Sequence, residues 1–231
     1  MLPFRESARS EHTDVATDAP PPGRKAASIL TAARELFIER GFDSVSMDMV
    51  ARQAPVSKAT LYAHFASKDE LFTAIVVDEA RRIMDEVCDI GSDGADIAAV
   101  LRRVAEKFVE IFLSPHTMSL QRAVIGVVPR LPAIGTAIFE SGPDILTARL
   151  AQFLRESERR GQIHVPNPAL AAHQFLSIIR GDLDLRGLLM PGAPVSRSAI
   201  ADQIESGIEL FLHFYRRPVR QNPAGAAPPD R

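Results

Sequence analysis

Ser46-Met47-Asp48-Met49-Val50-Ala51-Arg52-Gln53, then Ala54-Pro55-Val56, then Ser57-Lys58-Ala59-Thr60-Leu61-Tyr62-Ala63-His64-Phe65 is the stretch whose spacing decides the architecture. Each serine stands before a short run with helical apolar spacing and offers a hydroxyl to the amides that a first helical turn leaves unpaired. Two short helices around a three-residue turn have the dimensions of a helix-turn-helix. Val50, Ala54, Val56, Leu61 and Phe65 fall on the inward side, which leaves Ser57, Lys58, Ala59, Thr60, Tyr62 and His64 to project outward. A helix entering the major groove needs small or polar residues at its N-terminal end and longer donors at its flanks. Lys58 can donate to guanine acceptors, while Ala59 and the Thr60 methyl can touch a thymine methyl. Tyr62, His64 and Lys68 have the reach to hold phosphates, which positions a helix without reading sequence.

Working outward, apolar residues Ile29, Leu30, Ala33, Leu36 and Phe37 form one stripe of a helix over 24–40, with Gly41 as its stop. Ser67, with Glu70 three residues on, forms a capping box for a long helix over 68–89. The cluster Gly91-Ser92-Asp93-Gly94 marks a boundary, beyond which helices are expected at 96–113, 117–128, 132–141, 143–160, 168–189 and 197–216. No stretch alternates long enough to compete as a strand, so the fold class is all-α. The last two helices carry apolar side chains over a wide arc, from Leu170, Phe175 and Ile179 to Ile204, Phe211 and Tyr215, as expected of helices packed on two sides.

The bulk properties bound these expectations without producing them. A chain of 231 residues, 46% of them apolar, can bury a sizeable core, but a net charge of −2 gives no general attraction to phosphate backbones. Charge within the first helices is also nearly balanced, with Arg24, Lys25, Arg34, Arg40, Arg52, Lys58 and Lys68 against Glu35, Glu39, Asp43, Asp48, Asp69 and Glu70. DNA affinity is therefore expected to be modest, local and salt-sensitive. The single cysteine, Cys88, excludes an internal disulfide and fits a reducing compartment. With no signal-peptide core and no run of eighteen apolar residues, the expectation is a cytoplasmic protein with no membrane contact. The organisation expected is a disordered arm over 1–23, a helix-turn-helix domain over 24–70, a helical body over 71–216 and a disordered proline-rich tail over 217–231.

From Arg24 to about Val77 the chain resembles the DNA-binding domain of the TetR (tetracycline-repressor-like) family, most specifically in Val56 to Phe65 and Ser67-Lys68-Asp69-Glu70-Leu71-Phe72, supported by Phe37, Gly41-Phe42 and Ser46-Met47. The resemblance implies that Ser46 touches a phosphate, that Lys58 to Thr60 face bases, and that Tyr62, His64 and Lys68 hold the backbone. Arg24 and Lys25 are placed to add backbone contacts from the flexible arm. One departure stands in the turn, where the family's glycine is replaced by Pro55. Proline cannot adopt the positive φ that glycine supplies, and it biases Ala54 away from α geometry. An altered turn is therefore expected.

Farther on, Leu131-Pro132, Phe139-Glu140-Ser141-Gly142-Pro143, Arg160-Gly161 and Ala171-Ala172-His173-Gln174-Phe175 resemble the C-terminal domain of an AefR-like TetR subgroup. This implies a ligand pocket among the middle helices and a homodimer built from the last two helices. Phe112, His116, Arg122, Gly126 and His173 are the candidate pocket residues. Arg122 reads equally well as an exposed arginine, and His173 reads better as an interfacial or core histidine. Gly126, where the subgroup often has glutamate, favours a small apolar or aromatic effector over a cationic one. The partners expected are double-stranded DNA and such an effector, with ligand shifting the long helix that begins at Lys68, and repression is the expected sign. The opposing reading is an all-helical enzyme or small-molecule-binding protein without DNA binding. It lacks support: no metal-ligand spacing, phosphate-binding glycine loop or nucleophile elbow appears, and no cofactor is implied.

Overall fold

The computed structural model describes residues 23–87, 96–193 and 195–216, and within them every regular element is a helix. All of the expected arm over 1–23 except Gly23, together with Cys88, the Gly91–Gly94 boundary and the tail from 217 onward, lies outside the described residues. Helix α1 (Arg24–Ser44) is broken at Gly41, whose φ of 75° turns the chain before a last turn through Phe42. Helices α2 (Met47–Gln53) and α3 (Lys58–His64) start at their serines: Ser46 Oγ accepts from the Met49 amide at 3.3 Å and Ser57 Oγ from the Thr60 amide at 3.0 Å. At the head of α4 (Lys68–Val87), Ser67 Oγ accepts from the Glu70 amide at 3.1 Å. The Glu70 carboxylate reaches back one residue farther than the usual box and accepts from the Ala66 amide at 2.8 Å.

The inward residues of the helix-turn-helix all join one core. Val50, Ala54, Leu61 and Phe65 are buried with Ile29, Leu36, Phe37, Phe42, Leu71 and Phe72, and Val56 packs on them partly buried. That core does not stop at residue 70, because Leu120, Val127 and Ile134 from the later helices belong to it. Helix α4 thus serves both the recognition unit and the body.

The turn corrects the expectation drawn from Pro55. Its φ is +22°, the positive value that was expected to be closed to proline. Ala54, at φ −85° and ψ 11°, also stays near helical geometry. The bonding pattern supplies the reason: the Ala54 amide donates to Val50 O at 2.9 Å and the Val56 amide donates to Ala51 O at 3.0 Å. The second is the long closing bond of a Schellman turn, which requires positive φ at the intervening residue. Burial of Ala54, Val56 and Leu61 imposes that geometry on proline, which can only omit its own missing amide bond.

In the body, α5 (Ile97–Phe112) is followed by α6 (Pro115–Val127), α7 (Pro132–Ser141), α8 (Pro143–Arg159) and α9 (Pro168–Arg180). Each of these last four opens on proline, which needs no amide partner in a first turn. Helix α6 starts two residues earlier than expected, because Ser114 Oγ accepts from the Thr117 amide at 3.2 Å. The single helix expected over 168–189 is two, α9 and α10 (Leu183–Leu189), separated at Gly181 with φ 52°. Apolar periodicity continues through Leu183 and conceals the break. Gln203 of α11 (Arg197–Tyr215) occupies it, donating to Ile178 O at 2.5 Å. Arg180 and Asp184, 3.6 Å apart, and Arg186 and Asp182, 2.7 Å apart, pair across the same junction. A second core joins α5, α8, α9 and α11 around Leu101, Leu150, Phe175, Ile179, Ile208 and Phe211.

Replacing Pro55 by glycine should stabilise the protein. Positive φ at a non-glycine residue costs about 1–3 kcal/mol, and the proline stiffness given up is worth about 0.4–1 kcal/mol. A net gain of about 1 kcal/mol would raise the melting temperature by about 2–4 °C. Thermal unfolding of Pro55→Gly beside the parent checks this, and a lower melting temperature would contradict it.

Candidate nucleic-acid interface

The short helix α3 is fixed from below and open above. Leu61 is wholly buried and Phe65 nearly so, while Ser57, Lys58, Ala59, Tyr62 and His64 are exposed and Thr60 is half-buried. Tyr62, at 50% exposure, is a large side chain left half open to solvent. Three of the polar groups are engaged with neighbours. The Ser57 and Thr60 hydroxyls are 2.8 Å apart, so the Thr60 methyl is the part free to meet a base. Lys58 Nζ donates to Asp48 Oδ2 of α2 at 2.6 Å. Both members of that pair are well exposed, so the pair is worth at most about 1 kcal/mol and yields easily to another acceptor.

Flanking groups extend the surface. Ser46 is exposed at the start of α2, and Arg24 and Lys25 are exposed at the start of α1. Lys68 is half-buried: its ammonium lies 4.3 Å from the centre of the Phe42 ring and donates to Asp43 O at 3.4 Å. Burial holds Lys68 below the ordinary lysine value, nearby Asp43 and Asp69 oppose that shift, and Arg130 adds to it. Arg130 follows α6 and had no place in the sequence reading. It pairs with Asp43 at 2.9 Å. No spacing rule could have found a contact between residues so far apart in the chain.

Arg34 drops out of the charge available to DNA. At 9% exposure it lies between α1 and α4, hydrogen-bonded to Asp78 and 3.3 Å from Glu79, although its Nε is not aligned to donate there. His116 approaches the other oxygen of Glu79 at 3.2 Å. One buried cation thus ties α1, α4 and the start of α6.

The five candidate pocket residues do not converge on one cavity. Phe112 is half-buried and stacks on Phe108 with ring centres 5.2 Å apart. His116 is held by Glu79, as above. Arg122 is neither a pocket group nor a free exposed arginine, because it donates to Gly187 O at 3.2 Å and to Ser119 Oγ at 3.1 Å, fastening α6 to α10. Gly126 is exposed on α6 with open space where a side chain would stand. His173 is exposed on α9, so the core reading of it does not hold. A cleft of about 690 Å³ lies elsewhere, between α5, the start of α6 and α11, lined by Val109, Leu113, Ile200 and Ile204 with Glu106 and Glu110 at its rim.

Sequence comparison decides what this arrangement is. The family described as bacterial regulatory proteins, tetR family, matches residues 29–75, and the AefR-like transcriptional repressor C-terminal domain matches residues 99–217. The chain belongs to the TetR family. Among its relatives is the HTH-type transcriptional regulator UidR of Escherichia coli, 29% identical over 161 residues that make up 67% of this chain and 78% of UidR. A TetR-family regulator of Mesorhizobium loti superposes with a TM-score of 0.79 at 26% identity, covering 84% of this chain and 97% of that one. The flavonoid-responsive regulator FrrA superposes with a TM-score of 0.74 at 34% identity, covering 86% of this chain and all of its own, 100%.

As a TetR-family member the chain is a DNA-binding transcriptional regulator and not an enzyme. Among the described residues no helix is long and apolar enough to cross a membrane. On the outward face of α3, Lys58 is paired with Asp48 of α2. Asp48→Asn should free Lys58 and remove a charge that repels phosphate, tightening binding to duplex DNA by up to about fivefold, the equivalent of 1 kcal/mol. Fluorescence anisotropy would show it, and the gain should vanish in a Lys58→Ala background. A gain that survives there would mean Asp48 does not act through Lys58.

Proposed function

We propose that this regulator is a ligand-responsive repressor that binds a pseudo-palindromic operator as a homodimer in the cytoplasm and is released by a small apolar or aromatic molecule. The observation that carries the reading is the outward face of α3, where Ser57, Lys58, Ala59, Tyr62 and His64 are exposed; on this reading Ser57 to Thr60 would enter the groove, and Tyr62, His64 and, at the head of α4, Lys68 would hold phosphates at its flanks. Phosphate contacts from Ser46, Arg24 and Lys25 would fix the register, and a two-fold dimer would set two such helices about 34 Å apart.

Dimerisation is supported by the apolar surface left on the last helices. Leu170 of α9, at 51%, and Leu210 and Phe214 of α11, at 59% and 75%, are exposed, and the two helices pack side by side. Exposed apolar side chains of this size on two packed helices are what an interface between two copies would cover. The AefR-like description of residues 99–217 favours repression.

The effector reading draws on FrrA, whose name records a response to flavonoids, an aromatic class. In this chain the zone that fits such a molecule surrounds the Phe108–Phe112 stack, where Ile83, Ile111, Ile145 and Leu176 are only partly buried around Met84, Val87 and Leu146. Half-buried apolar side chains between α4, α5 and α8 match the chemistry of a flat aromatic molecule. Release requires that ligand favour the state that binds DNA poorly.

Selection of bound duplexes from a random pool tests the reading. An enriched inverted repeat is expected, with Thr60→Ala relaxing preference at one base position. No enrichment would overturn it. Leu210→Glu should convert the dimer to monomer in sedimentation and weaken operator binding together, and a variant that stays dimeric would remove α11 from the interface.

A further inference from the structure

Arg130 lies in the turn between α6 and α7, outside the 29–75 segment that matches the DNA-binding family. Its guanidinium nevertheless reaches the same two residues that hold Lys68. It is 2.9 Å from Asp43 Oδ1 and 5.5 Å from the centre of the Phe42 ring, while the Lys68 ammonium is 3.4 Å from Asp43 O and 4.3 Å from that ring. Asp43 stands three residues before Ser46, the cap of α2. Two cations from distant parts of the chain therefore converge on Asp43 and Phe42, beside the first residue of α4. Asp43 is the acceptor Arg130 uses, and both are exposed, at 77% and 55%. An exposed ion pair of this kind contributes at most about 1 kcal/mol, whereas a phosphate offers a guanidinium two parallel, charge-assisted bonds.

We propose that Arg130 is a DNA-phosphate contact supplied by the regulatory body, exchanging Asp43 for a backbone phosphate beside Lys68 when the protein binds DNA. This rests on the reading of α3 as the DNA-facing helix. It adds a contact from outside the helix-turn-helix and places it on the turn that ends α6. Val127, buried in the shared core, ties that turn to α1 and α4, so a shift of α6 would carry Arg130 with it.

The alternative role is a structural tie that holds Asp43 to the body, and the salt dependence of binding separates the two. The full-length protein, Arg130→Gln, Arg130→Lys and Lys68→Ala would be titrated with a random-sequence 40-base-pair duplex across a series of potassium chloride concentrations. Glutamine keeps a polar side chain at the position while losing the charge. Each phosphate neutralised contributes about 0.9 to the slope of log K against log salt. Arg130→Gln should therefore lower that slope by about 0.9 per subunit on the duplex, as Lys68→Ala should, and Arg130→Lys should restore it. A wild-type slope in Arg130→Gln, with or without weaker binding at every salt concentration, would overturn the proposal while the DNA-binding reading stands. Failure of the parent protein to bind any duplex would overturn both.

Discussion

Three phenylalanines form the centre of the core on which the recognition unit is built. Phe37 stacks on Phe42 at 5.6 Å, Phe72 meets Phe37 edge-on at 5.2 Å, and Phe42 meets Phe72 at 4.9 Å. Positive φ at Gly41 swings Phe42 back under the helix it has just left. Without that turn, α4 would lose the surface on which its first residues sit. Fully burying a phenylalanine is worth about 1.5–3 kcal/mol, and ring pairs add about 0.5–1.5 kcal/mol each. The unit defined by residues 29–75 is small, and units of that size are marginal alone. Its core is completed by Leu120, Val127 and Ile134 from the body, so the helices that face DNA depend on α6 and α7 for part of their stability.

The Arg34 cluster adds register to this adhesion. Apolar packing tolerates sliding, but a buried guanidinium between Asp78 and Glu79 is satisfied in few positions. The cluster therefore sets α4 against α1, and His116 extends the setting to the start of α6. On the outer side, Lys68 and Arg130 use the same Phe42 as a platform.

Much of this was legible in the sequence because it is written locally. Ser46, Ser57 and Ser67 mark helix starts through hydroxyls that act within three residues, and Leu61 against Tyr62 declares which face of α3 is buried. What escaped depends on partners far along the chain. The break at Gly181 is fixed by Gln203, the pairing of Asp43 is set by Arg130, and Arg122 is turned from a pocket group into a tie by Gly187 O. Pro55 misled in the other direction: its local preference was read correctly, and the surrounding core overrode it. His173 and Gly126 showed what they are, but not that α9 and α6 present them to open space.

The central claim is that the DNA-facing helices and the body share a single core through α4 and α6. Amide hydrogen exchange on Val127→Ala measures it most directly, because Val127 belongs to α6 yet is buried among side chains of the recognition unit. Faster exchange is predicted in α1 and in the first turns of α4 as well as in α6, with the outer body helices α9 and α11 unchanged. Acceleration confined to α6 and α7 would contradict the account, since the recognition unit would then be standing on its own.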